Sequence, residues 1–394
     1  MNEMFAFLLV LAGILFFAKI FGEIALKLGQ STIIGELVAG IIMGPAVFGI
    51  IHETPVLSCM SELGAVILLF EVGLSTNIKE FFKVGGWAII VASVGIIIPY
   101  LLGYFVFLYF GLTNTQAVFA AAVLTATSIG ITARVFLDLR YLETQEAKIV
   151  LGAAVIDDII VLGILAVVLE FITDKAVTFK TFLHISKDAL LFLVASIIIG
   201  IPVVSVIFKF VSKIKQSNVV FIMGFALCFT LAAFSLKVKL ASIMGAFIAG
   251  LVLSTIREQQ IEEMKRDIKP IYAFFVPIFF VLMGTNVDIN TFNPFVATNT
   301  EILILTGILF IVAFIGKVLA GFAVLKKGVN KFLIGISMVP RGEVGLIFAG
   351  LGLKKNIFEI RDYSSLVAVI MLTTFITPIV LKYIISKQKK ISVV

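Results

Sequence analysis

The chain has 394 residues, of which 61% are hydrophobic and only 14% charged, and its mean hydropathy is +1.17. That composition excludes a soluble globular domain. Two cysteines, Cys59 and Cys228, exclude a disulfide framework or a zinc cluster. The net charge of +7 is scattered over short loops, which excludes a nucleic-acid surface and fits residues that set membrane topology.

In chain order, thirteen apolar segments stand out: 4–28, 33–51, 61–76, 84–110, 115–138, 145–171, 185–210, 218–236, 240–256, 270–287, 302–325, 331–352 and 363–384. A membrane-crossing helix needs roughly 20 such residues. The first run lacks the basic flank of a secretion signal and reads as a retained helix. Only residues 385–394 follow the last segment, which predicts no attached nucleotide-sensing domain. With the N-terminus outside, nineteen Lys and Arg fall on the cytoplasmic side and eight on the other. This bias predicts N-terminus out and C-terminus in.

An internal repeat is visible. Ile34-Gly-Glu-Leu-Val-Ala-Gly40 lines up with Met244-Gly-Ala-Phe-Ile-Ala-Gly250, and Phe70-Glu-Val-Gly73 with Val281-Leu-Met-Gly284. The displacement is seven segments. An odd displacement reverses direction through the bilayer, so the halves are expected to be inverted copies with a site at the midplane between them.

Such sites form where helices break in corresponding positions. In the fifth segment, Thr125-Ala-Thr-Ser-Ile-Gly-Ile-Thr132 gathers hydroxyls and a glycine in mid-span; in the twelfth, Met338-Val-Pro-Arg-Gly-Glu343 places a proline there. Gly130 and Pro340 are separated by the repeat offset. Proline removes a helical donor and glycine loosens the backbone.

The sixth segment carries adjacent carboxylates, Asp157 and Asp158, in Gly152-Ala-Ala-Val-Ile-Asp-Asp158. A charge at mid-depth costs at least ~2.5–3.5 kcal/mol, so each needs a counterpart. Lys317, near the middle of the eleventh segment, is one. Neighbouring helical residues point about 100° apart, so the two aspartates cannot share one environment. One can reach Lys317 while the other faces a cavity. Desolvation holds a proton on a carboxylate and a nearby cation releases it, which is the chemistry of proton-for-cation exchange. Arg341 and Glu343 are expected to compensate helix-end dipoles at the twelfth-segment break, and Arg134 beyond the fifth. Glu71 either lines the cavity or pairs with a hydroxyl; His52 and His184 read as interfacial.

Together with Thr127-Ser-Ile-Gly-Ile-Thr-Ala-Arg134, Gly316-Lys317 and Pro340-Arg-Gly-Glu-Val-Gly-Leu-Ile347, the aspartate pair resembles the cation:proton antiporter-2 superfamily, in its NapA-type sodium/proton branch. The resemblance implies an all-α polytopic protein of about thirteen transmembrane helices in two inverted repeats, with crossed discontinuous helices 5 and 12. It implies a dimerisation domain (1–76 and 218–287), a core ion-translocation domain (84–171 and 302–384) and a linker helix (185–210). It implies a homodimer in a prokaryotic plasma membrane, exchanging Na+ or Li+ for protons electrogenically by elevator-like movement of the core, with no cofactor and no enzymatic activity. Asp158 would carry sodium or protons, Thr127 and Ser128 would help coordinate the ion, and Asp157 would release Lys317 when sodium binds. The third segment departs from many relatives, which carry an acid at the Ser75 position and an apolar residue nearer Glu71. Potassium-efflux relatives typically have Gln-Asp where this chain has Asp157-Asp158, which leaves K+/H+ antiport as the alternative. From another class, a sodium-coupled organic-anion symporter shares the architecture without needing the Asp-Asp and lysine set. An intramembrane aspartyl protease keeps its aspartates on separate helices, and a potassium channel needs a filter loop that the chain lacks.

Overall fold

The computed structural model describes residues 3–172, 179–211, 214, 218–287, 292–293 and 297–392, and the regular structure among them is helical. The helices are α1 (Glu3–Lys27), α2 (Thr32–Met43), α3 (Pro55–Leu74), α4 (Ile78–Lys83), α5 (Gly85–Tyr109), α6 (Asn114–Thr125), α7 (Ile129–Asp138), α8 (Gln145–Ile172), α9 (Phe179–Val211), α10 (Val219–Lys237), α11 (Ser242–Leu253), α12 (Glu258–Thr285), α13 (Ala297–Phe322), α14 (Lys331–Ser337), α15 (Glu343–Lys354) and α16 (Ile360–Ser392). Among the described residues, nine helical stretches are long and apolar enough to cross a membrane, counting 114–138 across its break, and three shorter apolar helices accompany them. Exposed Phe16, Phe105, Ile198 and Phe210 give the outside of the bundle the apolar surface that lipid requires.

Two predicted segments are shorter as helices than as apolar runs. Segments 33–51 and 240–256 yield α2 and α11, each 12 residues. At 1.5 Å per residue that is about 18 Å, well short of a ~30 Å hydrocarbon layer. α2 stops because Gly44, extended at ψ 178°, precedes Pro45, which disfavours helical backbone before it. α11 ends where the Ser254 and Thr255 hydroxyls donate back to the Leu251 and Val252 carbonyls. Two others are longer. α3 starts at Pro55, where proline costs no helical donor and the Thr54 side chain accepts from Leu57 N. α12 begins at Glu258 and continues through Pro270 and Pro277, so the charged stretch before segment 270–287 is helical too.

The helices pack in two groups. In one, α3 lies on α11 and α12, α2 on α1 and α12, and α10 on α11. In the other, α5 lies on α6, α8 and α13, and α13 on α14 and α16. α9 bridges α8, α10 and α11, while α7 touches α3 and α16 touches α2 across the seam. Glycines let the first group close. A Cβ on Gly40 would strike the Val281 carbonyl and one on Gly284 the Leu37 carbonyl, and Gly73 and Gly250 stand in the same relation to Phe247 and Phe70. Such backbone-to-backbone approach substitutes dispersion for the hydrophobic drive that lipid removes.

Candidate functional site

Both suspected breaks are real interruptions of helix. α6 ends at Thr125 and α7 starts at Ile129; α14 ends at Ser337 and α15 starts at Glu343. The two meet: Ser128 N donates to the Pro340 carbonyl at 2.8 Å, and Thr132 Oγ1 donates to the Ser337 carbonyl at 2.7 Å. Gly342 (φ −138°, ψ −139°) is neither helical nor regular strand and lies so close to Ser128 that a Cβ would sit 2.5 Å from its Oγ. Pro340, lacking an N–H, leaves its own backbone free to turn away from helical geometry. Four helix ends thus converge on one point inside the bundle.

Arg341 neutralises part of that convergence. It is fully buried, its Nε donates to the Leu124 carbonyl at 2.7 Å and its Nη1 to the Val339 carbonyl at 2.8 Å, with Nη2 3.4 Å from the Ala313 carbonyl. The Leu124 carbonyl lies at the C-terminal end of α6 and the Val339 carbonyl just past that of α14, where the helix dipole is negative, while Ala313 lies within α13. Thr374 Oγ1 donates to the Arg341 carbonyl at 2.5 Å and holds the turn from α16. The Glu343 side chain lies outside the described residues.

Beside the breaks, Asp157 on α8 and Lys317 on α13 are each fully buried. Lys317 Nζ donates to Asp157 Oδ1 at 2.9 Å and to Thr127 Oγ1 at 2.7 Å. The other carboxylate oxygen accepts from Thr127 N at 3.2 Å. The α6–α7 break therefore supplies both a donor to Asp157 and an acceptor to its partner, which an intact helix could not do with the same backbone N–H. Gly95 on α5 faces the lysine stem, where a Cβ would stand 3.4 Å from Lys317 Cδ. Asp158 is half-buried on the next face of α8 and also acts electrostatically on Lys317, less strongly than Asp157.

Arg134 is not brought to the break. It lies one and a half turns further along α7, where Nε reaches Asp138 at 3.0 Å and Nη2 reaches Thr32 Oγ1 at 3.4 Å. Its guanidinium carbon stands 4.8 Å from the centre of the Tyr272 ring, and Nη2 is 4.0 Å from Glu36 Oε1. Glu71 Oε2 is buried with no hydroxyl or other hydrogen-bond partner among the described residues, and Arg134 is the foremost charge acting on the carboxylate. Glu36 escaped the reading of the sequence, although it sits inside the repeat stretch Ile34-Gly-Glu36 as a carboxylate in an apolar run.

On one face a cleft of about 490 Å³ opens between the two groups, with Ser61, Glu62, Ser242 and Phe279 on one wall and Val344 and Ile347 of α15 on the other. Phe279 packs against Gly130, and Met283, also in the cleft, against Gly342, so its floor rests on the helix breaks.

A family model described as sodium/hydrogen exchanger, transmembrane, matches residues 12–387. The chain belongs to the sodium/hydrogen exchanger family. The exchanger is 35% identical to the high-affinity Na+/H+ antiporter NhaS3 of Synechocystis sp., over 97% of its own length and 92% of that protein. It is also 35% identical to the Na+/H+-K+ antiporter GerN of Bacillus cereus, over 98% of each chain. Its fold is that of the sodium proton antiporter MjNhaP1 from Methanocaldococcus jannaschii, with a TM-score of 0.70 at 17% identity over 97% of this chain and 96% of that one. The exchanger is therefore a multi-pass membrane transporter that couples a cation to protons, and its ions are cargo rather than cofactors.

Proposed function

We propose that the exchanger is an electrogenic Na+/H+ antiporter, carrying Li+ as well, with Asp158 as the site of the ion or its proton. The observation that carries this reading is the fully buried Asp157–Lys317 pair set on the α6–α7 break, with Asp158 adjoining it. Before the ion arrives, with Asp158 protonated, Asp157, Lys317 and Arg341 together carry one positive charge. A sodium ion entering such a low-dielectric site raises its charge by one, and the field it creates expels protons. One proton leaves Asp158. Asp157 turns toward the ion, frees Lys317, and the unpaired buried ammonium sheds the second. Two protons for one sodium moves net charge, so the rate responds to membrane potential.

On the same reading, alternating access runs through thirteen crossings in two inverted repeats. The swapped packing favours them: α2 on α1 and α12 is matched by α11 on α10 and α3, and Gly40–Gly284 by Gly250–Gly73. On this reading 84–171 and 302–384 form a moving core, 1–76 and 218–287 a scaffold that pairs in a homodimer, and 185–210 the linker. The basic-residue bias supports an N-terminus outside a prokaryotic plasma membrane and a tail in the cytoplasm. A second reading, K+ in place of Na+, is favoured by the likeness to GerN, whose name includes potassium.

Dissipation of a pH gradient in proteoliposomes, with Na+, Li+ and K+ compared side by side and the membrane potential clamped or free, tests all of this. Na+ and Li+ should dissipate the gradient and clamping should change the rate. Asp158→Asn should abolish the response; full activity in that variant refutes the assignment, and equal rates under clamp and free conditions refute electrogenicity.

A further inference from the structure

The core–scaffold seam carries a second buried polar cluster that the exchange mechanism does not use. Arg134, on core half-helix α7, is 8% exposed and reaches three scaffold side chains: Thr32 and Glu36 of α2 and the Tyr272 ring of α12. A second link lies beside it, where Lys382 Nζ of α16 donates to the Gln30 carbonyl before α2 at 2.7 Å. Both links lie on the face from which the tail emerges, around a pocket of about 280 Å³ that includes Ser31, Thr32, Asp138 and Lys382. The cleft over the helix breaks opens on the other face. One side of the seam is tied and the other is open.

The tie is built to let go. The short contact of Arg134 is to Asp138, 3.0 Å away on its own helix, and travels with it. The contacts that Arg134 itself makes across the seam are longer, 3.4 Å to Thr32 and 4.0 Å to Glu36. Four buried atoms around it have no hydrogen-bond partner among the described residues: Arg134 Nη1, Glu36 Oε2, Glu71 Oε2 and Tyr272 OH.

We propose that Arg134 is a detachable latch, held by Thr32, Glu36 and Tyr272, that keeps the tail-side seam shut while the opposite cleft is open. The proposal rests on the division into moving core and fixed scaffold. In each cycle Arg134 leaves the scaffold and keeps Asp138.

Labelling with a water-soluble maleimide on purified protein in detergent micelles, where both faces are accessible, tests it, in a Cys59→Ser background where Cys228 is buried. Ser61→Cys reports the cleft and Val135→Cys, 1% exposed, reports the tail-side seam. Adding Glu36→Gln, which keeps shape, should slow labelling at position 61 and speed it at 135 by about threefold to tenfold, the shift that loss of one modest polar contact produces. Thr32→Val should shift both the same way by less, which covers the case in which the glutamate variant folds poorly. Sodium KM should hold while kcat moves. Unchanged labelling at both positions in both variants overturns the latch. Transport measured on the parent separates the two ideas: a parent that exchanges sodium while the variants show no labelling shift loses only the latch, and a parent that does not exchange loses the antiporter reading.

Discussion

Removing the charge from Lys317 is the sharpest probe of how the buried pair is held. Lys317 and Asp157 are both fully buried, and each makes two hydrogen bonds, one to the other and one to Thr127. Lys317→Met keeps the stem packed against Gly95 but leaves the Asp157 carboxylate with only Thr127 N. Breaking a buried pair by removing one partner costs ~3–5 kcal/mol, because the remaining charge is uncompensated. Asp157→Asn strands the ammonium but leaves it the Thr127 hydroxyl and an amide oxygen, which places it at the lower end of that range. In the double variant both charges are gone and the loss should be about 0–2 kcal/mol. The coupling is then several kcal/mol, far beyond the additivity of independent sites, ~0.3–0.5 kcal/mol. Equilibrium unfolding in mixed detergent micelles, followed with a thiol-reactive dye at buried Cys228 in the Cys59→Ser background, measures all four corners. Losses that simply add would show that the pair is not an interacting unit and would remove the basis for Lys317 as a switch.

The glycine contacts predict opposite signs at two helices: Gly250→Ala should destabilise by ~1–3 kcal/mol because its Cβ meets the Phe70 carbonyl and Leu74 N, whereas Gly307→Ala, which meets nothing within 4 Å, should be neutral or gain up to ~1 kcal/mol. Unfolding midpoints of the two variants decide this, and equal losses would count against close backbone packing of α3 on α11. At the surface, a hydrogen bond from Lys148 and its charge hold the Glu80 carboxyl below its ordinary value of 4.5. A depressed carboxyl contributes stability above its unfolded value and loses it as pH falls through the folded one. The parent should therefore exceed Glu80→Gln by a constant margin above about pH 5, shrinking on acidification below 4.5. A pH series of unfolding midpoints checks this, and a margin that grows on acidification would contradict the pair.

What the sequence determined by itself is what local chemistry decides. Pro340 cannot donate a helical bond and the run Thr125–Thr132 is poor in helix-holding side chains, so both breaks were legible wherever those helices came to lie. Asp157, Asp158 and Lys317 were legible because charges in apolar runs must find one another. The tertiary structure alone decided which partners they took. It put the Thr127 hydroxyl on Lys317, sent the Arg341 guanidinium to three carbonyls from different parts of the chain, and carried Arg134 away from the break to a seam with Glu36 and Tyr272. It also cut two apolar runs to 12-residue helices. A buried charge's need for a partner is a property of the residue, but its choice among partners is set by which helices pack within reach of a few ångströms, and no stretch of chain contains that information alone.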